Sequence, residues 1–216
     1  MLSIGNDIVD LNLTDADRTN QSRFYAKIIT LAELQAIPYD LPLDRYVWLL
    51  WTVKEACYKY CKRLKPDLIF APVKIPVTLT AVPQKSMAIE DAYPLQEHNI
   101  TPENFFAGQA LFADTTLFFR SLITNDFIAT VVADEDEFKN VYWGIRDVAD
   151  QSAESQSAAV RSLALERLKA FLPGQQFHFN KSHVGYPLVA TETGETNIPL
   201  SLAHHGRFVS YCFKLG

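Results

Sequence analysis

Two segments of the chain repeat the same order of features, and this repeat constrains the fold more than any single motif. One segment begins at Gly108 and the other at Gly185, and each contains an apolar strand, a Ser-Leu pair, a polar turn and a closing strand. Each also follows a long helical pattern. A duplicated unit predicts an α+β chain of two similar halves that form a pseudo-dimer, with the boundary in the acidic run 134–137. The alternative is chance, because strand–turn–strand patterns are common.

The composition is that of a folded protein with no general attraction for nucleic acid. The 216 residues are 48% hydrophobic, and 25 acidic against 20 basic side chains give a net charge of −5. Any anion site must therefore be local. The eight glycines are too widely spaced for a P-loop or a dinucleotide fingerprint, and neither HExxH nor GxSxG occurs. These absences argue against Walker-type ATPases, Rossmann oxidoreductases and the corresponding hydrolases.

Cysteine usage and hydropathy predict a cytoplasmic protein without a membrane segment. The three cysteines, Cys57, Cys61 and Cys212, form no CxxC pair, and an odd number does not suit a secreted disulfide framework. Buried reduced thiols are expected. The longest apolar run is far too short to span a bilayer, and the first residues lack the basic and apolar stretches of a signal peptide.

Periodicity and proline positions predict the order of elements along the chain. The predicted elements are a strand within 2–13, a short helix over 22–36, a long helix over 43–64, edge strands within 69–82, a surface excursion over 83–104, strands over 105–133, a helix over 152–172 and further strands to the end.

One side of the long helix carries the candidate chemistry. Glu55 and Lys59 lie one turn apart, on the same side as Trp48, Trp51 and Lys62, opposite an apolar face. An ordinary amphipathic surface helix also explains this spacing, since such a pair adds only about 0.3–0.5 kcal/mol. The helix end nevertheless concentrates positive charge around Glu55, which predicts a site for a phosphate-rich ligand. The cations concerned are Lys54, Lys59, Lys62, Arg63 and Lys65.

A second carboxylate comes from the first strand. Asp7 is expected near the strand end, where it could complement Glu55. Mg²⁺ typically takes one or two protein carboxylates and completes its octahedron with water and phosphate oxygens, so the pair outlines a phosphoryl-transfer site. A structural aspartate that caps a loop is the alternative.

Four blocks of sequence resemble, in order, the motifs of the 4′-phosphopantetheinyl transferase superfamily. The blocks are IGNDIVDL (4–11), RFYAKIITLAEL (23–34), WTVKEACYK (51–59), and GYPLV (185–189) followed by SLAHHGRFV (201–209). The superfamily pattern is GxD near the start, W/F-xx-KE-xxx-K on a helix, and GxP followed by SxSH. Residues 70–104 have no counterpart in the pattern.

The resemblance implies a Mg²⁺-dependent transferase that moves the phosphopantetheine arm of coenzyme A to a serine of an apo acyl or peptidyl carrier protein, releasing adenosine 3′,5′-bisphosphate. A non-catalytic binder of coenzyme A or of a carrier protein is the alternative. The implied catalytic groups are Glu55, which accepts the serine proton directly or through a water, and Lys59, the cation beside the pyrophosphate. The other implied site residues are Asp7 with Glu55 as metal ligands, His204 at the coenzyme A phosphates, and Tyr186 and Pro187 at the adenine.

The chain also departs from the superfamily pattern. Ala203 stands where the second serine of SxSH is usual, so backbone amides or His205 would have to replace one hydroxyl. Asp10 stands where small members have glutamate, which leaves a role as third metal ligand open. The larger two-half transferases place the SxSH half first, whereas here the metal half comes first.

The motifs are divided between the two halves. The first half, 1–135, carries the metal motifs but has Thr124 where a histidine would stand. The second half, 136–216, carries the GYP and SLAHH blocks but no KExxxK helix. We therefore expect one site between the halves of a monomer, with the face of Trp48 and Trp51 turned toward SLAHH. The carrier's acidic helix is expected at Lys62, Arg63 and Lys65.

Overall fold

A computed structural model describes residues 3–83 and 105–216 as an α+β fold. All but one residue of the predicted surface excursion, 83–104, lie outside the described residues. The helices are α1 (Ala16–Thr19), α2 (Ser22–Tyr25), α3 (Leu31–Gln35), α4 (Leu43–Leu64) and α5 (Ala153–Phe171), with 3₁₀ turns at Leu11–Leu13 and Pro72–Lys74. The strands are β1 (Gly5–Asp10), β2 (Val77–Ala81), β3 (Phe106–Phe112), β4 (Thr115–Ile123), β5 (Phe127–Ala133), β6 (Val141–Asp147), β7 (His178–Lys181), β8 (Pro187–Thr191), β9 (Gly194–Glu195), β10 (Leu200–His205) and β11 (Phe208–Lys214).

The first antiparallel sheet has the strand order β1-β5-β4-β3-β2, and α4 packs across it. The predicted long helix is confirmed at its full length, Leu43–Leu64. It begins after Pro42, carries Asp44 in its first turn and ends on basic residues, as the helix dipole favours. Its apolar face is buried against the sheet from Leu50 to Cys61, whereas Leu64 in the last turn is exposed, and the core of the first half lies between helix and sheet.

The predicted helix over 22–36 is wrong as one element. The structure divides it into α2 and α3, with non-helical residues between them. Thr30 and Glu33 form a reciprocal capping box, in which the Thr30 side chain accepts from the Glu33 amide and the Glu33 side chain accepts from the Thr30 amide. This cap starts a new helix at Leu31, which the apolar periodicity alone did not reveal.

The second half is built around another antiparallel sheet, of order β10-β11-β6, with α5 packed on it. The predicted second helix is confirmed, with Ser152 as its N-cap. A small sheet, β7-β8-β9, completes this half. In both larger sheets a strand that precedes the long helix pairs with the last strand of the hairpin that follows it: β1 with β5, and β6 with β11.

Strand β1 also joins the two larger sheets. Its free edge is met by side chains of β10 and β11: the Asn6 amide donates to Ser201 Oγ (3.2 Å), and Asn6 Nδ2 donates to Ser210 Oγ (3.0 Å). The Asp10 amide donates to His205 Nδ1 (2.9 Å). A second core cluster, which includes Ile8 and the strands of both sheets, fills the space between them. The first motif of the sequence is thereby brought against the last.

Two further sequence-based expectations concern the thiols and the membrane. Cys57, Cys61 and Cys212 are all free and buried, as predicted. Burial raises the pKa of the Cys57 and Cys212 thiols, which keeps them protonated and inert. Of the helices in the described ranges, none combines the length and the apolar character that crossing a bilayer requires.

Candidate active site

Asp7 and Lys59 form the centre of the candidate site. Asp7 lies on β1 and faces α4, and its Oδ1 is 2.8 Å from Lys59 Nζ. Lys59 Nζ also donates to the Asn6 carbonyl (3.1 Å). The close approach of helix and strand depends on Gly5, because a Cβ there would collide with the Ala56 carbonyl. The two motifs that sequence analysis singled out therefore meet in space.

Glu55 lies one turn before Lys59 and shares its electrostatic environment. Burial raises the pKa of the Glu55 carboxyl, Lys59 lowers it and the negative charge of Asp7 raises it further. Glu55 and Asp7 are thus close enough to repel one another. A divalent cation would relieve this repulsion, and two carboxylates are the protein donor set that Mg²⁺ usually takes. The residues present therefore fit Mg²⁺, although no group of three or more His, Cys, Asp or Glu residues suited to a metal occurs within 3–83 and 105–216.

His204 reaches the same region from the second sheet. It is exposed on β10. Its pKa is lowered first by partial burial and then by Lys59 and His205, while Asp7 raises it. Lys59 and Asp7 are therefore within electrostatic range of an imidazole almost 200 residues after Asp7 in the chain. The structure brings Asp7, Glu55, Lys59 and His204 together; the roles given to them remain proposals.

A cavity of about 210 Å³ runs from Lys59 to the GYP segment. Its walls come from α4, from the residues around Tyr186 and Pro187, and from β10. Tyr186 and Pro187 thus line the same cavity as Lys59. A larger cavity of about 430 Å³ lies on the other side of Tyr186.

Arg63, which sequence analysis placed on an exposed basic surface, separates these two cavities. Only 8% of Arg63 is exposed, and its guanidinium donates to the carbonyls of Leu200 and Pro187 (3.4 Å to Pro187). It also stacks on the Tyr186 ring, 4.6 Å from the centroid. Burial lowers its pKa. Arg63 therefore ties the end of α4 to the GYP segment and to β10, a role that no motif in the sequence indicates.

The predicted basic patch around Glu55 is wrong for two of its five cations. Lys54 is completely buried and pairs with Glu33 at 2.8 Å, and Arg63 is buried as described above. Lys62 donates to the Leu68 carbonyl (2.8 Å), and Lys65 donates to the Ala113 carbonyl (3.0 Å). Arg63, the central residue of the docking surface predicted at Lys62, Arg63 and Lys65, is therefore too buried to contact a carrier.

The prediction that Trp48 and Trp51 turn toward SLAHH is also wrong. Trp48 packs against Phe24, with ring centroids 5.9 Å apart, and its Nε1 donates to Thr19 Oγ1 (3.2 Å). Trp51 packs edge-on against Phe70 at 5.4 Å. These tryptophans hold α1, α2 and the segment after α4 against the helix. The prediction is wrong because these elements cover the side of α4 that the helical wheel left open to solvent.

The departures from the SxSH pattern have a structural basis. Ala203 is 3% exposed and belongs to the core cluster between the sheets, so a serine hydroxyl there would face the core. His205 is bound through Nδ1 to the Asp10 amide and faces β1. A serine hydroxyl at position 203 would therefore not lie on the His204 side of β10. Its absence needs no substitute contact there, from His205 or from a backbone amide.

Comparison with known proteins identifies one family. Residues 3–109 match the family model described as the 4′-phosphopantetheinyl transferase superfamily. The matched residues include Asp7, Glu55 and Lys59, whereas Tyr186, Pro187 and His204 lie beyond them. Neither curated proteins nor solved structures give a significant match.

Proposed function

We propose, from the membership of residues 3–109 in the 4′-phosphopantetheinyl transferase superfamily, that this chain transfers the phosphopantetheine arm of coenzyme A to a serine of an apo acyl or peptidyl carrier protein. The other product is adenosine 3′,5′-bisphosphate. The observation that carries the proposal is the meeting of Asp7, Glu55 and His204 around Lys59, which itself lines the cavity that reaches Tyr186 and Pro187. A protein that only bound coenzyme A would not need two carboxylates beside a polyanion.

Asp7 and Glu55 are the residues that would hold Mg²⁺. When bound, this ion supplies positive charge at the pyrophosphate oxygens, where negative charge accumulates during transfer. Lys59 lies beside both carboxylates, and its flexible ammonium can move from Asp7 to a phosphate oxygen. Partial burial, Lys59 and His205 lower the pKa of His204, and in either protonation state its imidazole carries an N–H that can donate to a phosphate oxygen.

Glu55 is our candidate for the group that accepts the serine proton. Burial raises the pKa of its carboxyl, and as a ligand of Mg²⁺ it would accept the proton directly or through a water that it orients. It is partly buried on α4, one turn before Lys59, which lines the cavity. Tyr186 and Pro187, at the other end of the cavity, are proposed to line the adenine.

The reaction can be tested directly by the mass of the carrier. The protein is incubated with Mg²⁺, coenzyme A and an apo carrier protein, and the carrier is weighed by mass spectrometry. We expect a gain equal to one phosphopantetheine, located on a serine. A protein that binds coenzyme A tightly but leaves the carrier mass unchanged would be the non-catalytic relative instead.

We also propose that the two halves, 1–135 and 136–216, descend from one unit and form a pseudo-dimer with a single site. The equivalent strand pairing of β1-β5-β4 and β6-β11-β10 supports this. In the first half the position of the missing histidine is taken by Thr124, which is buried and bonds within its own turn. Each half thus supplies what the other lacks.

A single-site pseudo-dimer is expected to work as a monomer. Sedimentation should give one chain per particle at the concentrations of the activity assay. Mixing chains that carry Asp7→Asn with chains that carry His204→Ala should give no more transfer than the two variants give separately, because no chain has a complete site. Recovery of activity in the mixture would show instead that sites form between neighbouring chains.

A different surface from the predicted one suits the acidic carrier. Arg18, Arg23 and Lys27 are exposed around a surface cavity of about 610 Å³. Phe24, between them, packs on Trp48. Trp48 lies two helical turns, about 10 Å along α4, before Glu55, so this surface adjoins the part of α4 that precedes the candidate base. We propose that the carrier docks here.

The expected effect of Arg23→Glu combined with Lys27→Glu is an increase in the KM for the carrier of about tenfold, with kcat and the KM for coenzyme A unchanged. Two reversed charges at an interface act mainly on association, so the wild-type KM for the carrier should also rise with salt. Lys169→Glu, an exposed change on α5, is the matched control. A carrier KM that responds to neither the double variant nor ionic strength would place the docking surface elsewhere.

A further inference from the structure

We propose that Asp10 is a positioning residue that holds the turn between β10 and β11, and with it His204, against β1. This inference rests on the proposed function, because it assigns His204 to the coenzyme A phosphates. Asp10 is only 2% exposed. Its Oδ2 accepts from the Arg207 amide (3.0 Å), and its own amide donates to His205 Nδ1 (2.9 Å). One residue of β1 is therefore bonded on both sides of the turn.

The remaining oxygen of Asp10 is also occupied. Its Oδ1 accepts from the amide (3.0 Å) and from the side-chain Nδ2 (3.2 Å) of Asn12. Asn12 Nδ2 reaches Asp126 as well (3.0 Å), and Asp126 in turn pairs with the Arg207 side chain (2.6 Å). The turn is thus fixed by two carboxylates, one buried and one partly exposed, that share Asn12 and Arg207.

Asp10 points away from the candidate metal ligands. Side chains alternate along a strand, so Asp7 and Val9 lie on one face of β1 and Ile8 and Asp10 on the other. Val9 belongs to the core that contains α4, whereas Ile8 belongs to the core between the two sheets. Asp10 therefore lies on the face opposite Glu55, which answers the question that the sequence left open: it does not act as a third metal ligand.

The fit between Asp10 and the turn also explains the choice of aspartate over glutamate. Gly206, at the centre of the turn, has φ +56°, and a Cβ at this position would collide with the Asp10 carboxylate. Backbone of the turn therefore packs directly on the side chain. A glutamate would need the turn to move outward by a carbon–carbon bond, and His204 would move with it.

These contacts lie immediately after His204 in the chain, at His205 and Arg207. His204 precedes His205 on β10, and alternation turns its side chain to the face opposite His205. The bond from the Asp10 amide fixes the plane of His205, and the bond from the Arg207 amide to Asp10 fixes the turn that follows. Asp10 therefore fixes, from the opposite face of β10, the backbone on which His204 stands.

The test is Asp10→Asn. An amide keeps the shape of the side chain but places an NH₂ where a carboxylate oxygen accepts, so either Arg207 or Asn12 loses its acceptor. We expect the Kd and KM for coenzyme A to rise about tenfold, with kcat and the Mg²⁺ requirement close to wild type. Asp147→Asn is the matched control, because Asp147 is an exposed acid 4.0 Å from the Arg207 side chain.

A second variant changes the same contact between Asp10 and the turn, this time by a substitution in the turn. Gly206→Ala pushes the turn away from Asp10 while leaving the carboxylate in place. It should raise the Kd for coenzyme A in the same direction as Asp10→Asn. The measurement therefore remains available if one of the two variants does not fold.

Readouts without coenzyme A separate this inference from the proposed reaction. In Asp10→Asn, the ring ¹H and ¹⁵N signals of His204 should shift and the Arg207 amide should exchange faster with solvent, whereas Asp147→Asn should change neither. If the wild type transfers nothing but these signals respond, the reaction fails and the positioning role stands. Unchanged His204 signals with an unchanged Kd, or a higher Mg²⁺ requirement in place of a weaker Kd, would overturn the positioning role.

Discussion

Asp7→Asn and Glu55→Gln are each expected to lower the rate of phosphopantetheine transfer by at least about 10²-fold, the effect of removing one group that stabilises charge in a transition state. Both changes keep the shape of the side chain and remove its negative charge. In Asp7→Asn the remaining carboxylate faces Lys59 alone, and in Glu55→Gln the candidate base is lost as well. Transfer is measured by carrier mass across a range of Mg²⁺ concentrations.

The control for these variants is Asp44→Asn, which removes an acid from the first turn of the same helix. Circular dichroism and urea unfolding should show all three variants folded, because the Lys59–Asp7 pair is partly exposed and such pairs contribute little to stability. A folded Asp7→Asn or Glu55→Gln protein with wild-type turnover at low Mg²⁺ would contradict the assignment of these carboxylates to the metal.

The sequence predicted α4 well because two independent signals agree there. Apolar residues recur at helical spacing over Leu43–Leu64, and prolines lie outside both ends. That Asp7 lies near this helix could also be anticipated, from the suitability of two carboxylates for Mg²⁺ and from the resemblance, whereas spacing within α4 says nothing about a residue on β1. The order of the motifs supported that expectation, and the structure adds the 2.8 Å contact between Asp7 Oδ1 and Lys59 Nζ.

What the sequence could not predict is which parts of α4 other elements cover. A helical wheel treats every side as covered by the sheet or open to solvent. Here Phe24 covers Trp48, Phe70 covers Trp51, and Tyr186 covers Arg63. Each of these partners is distant along the chain, and periodicity has no access to such contacts. The prediction of a basic patch around Glu55 is wrong for this reason.

Lys54 shows the same limit and leads to the largest stability effect that we expect. Its ammonium is completely buried, donating to Glu33 Oε2 (2.8 Å) and to the Ile28 carbonyl (2.7 Å). Burial lowers the pKa of Lys54, and its hydrogen bond to Glu33 and the charge of that residue raise it. Glu33 also accepts from the amides of Val77 (2.9 Å) and Thr30 (2.7 Å). One buried ion pair thus links α3, α4 and β2.

Lys54→Met is expected to lower the free energy of unfolding by about 3–5 kcal/mol, since removing one partner leaves the other charge buried without a counter-charge. Methionine fills most of the volume of the lysine stem, so the loss is electrostatic and little of it comes from a cavity. Urea unfolding followed by circular dichroism gives the midpoint and the slope. Lys62→Met, on the same helix and bonded to a carbonyl at the surface, should change the midpoint far less.

Lys54→Met also decides whether the first lysine of the WTVKEACYK helix acts in chemistry. Its ammonium is bonded to Glu33 and Ile28 inside the protein, on a different side of α4 from Lys59. The folded fraction of Lys54→Met, assayed well below its melting temperature, should therefore transfer phosphopantetheine at nearly the wild-type kcat. A kcat that falls as far as in Glu55→Gln, in protein shown to be folded, would mean that Lys54 reaches the reacting groups. Our interpretation is instead that Lys54, directly before the candidate base Glu55, anchors the turn of α4 on which Glu55 stands.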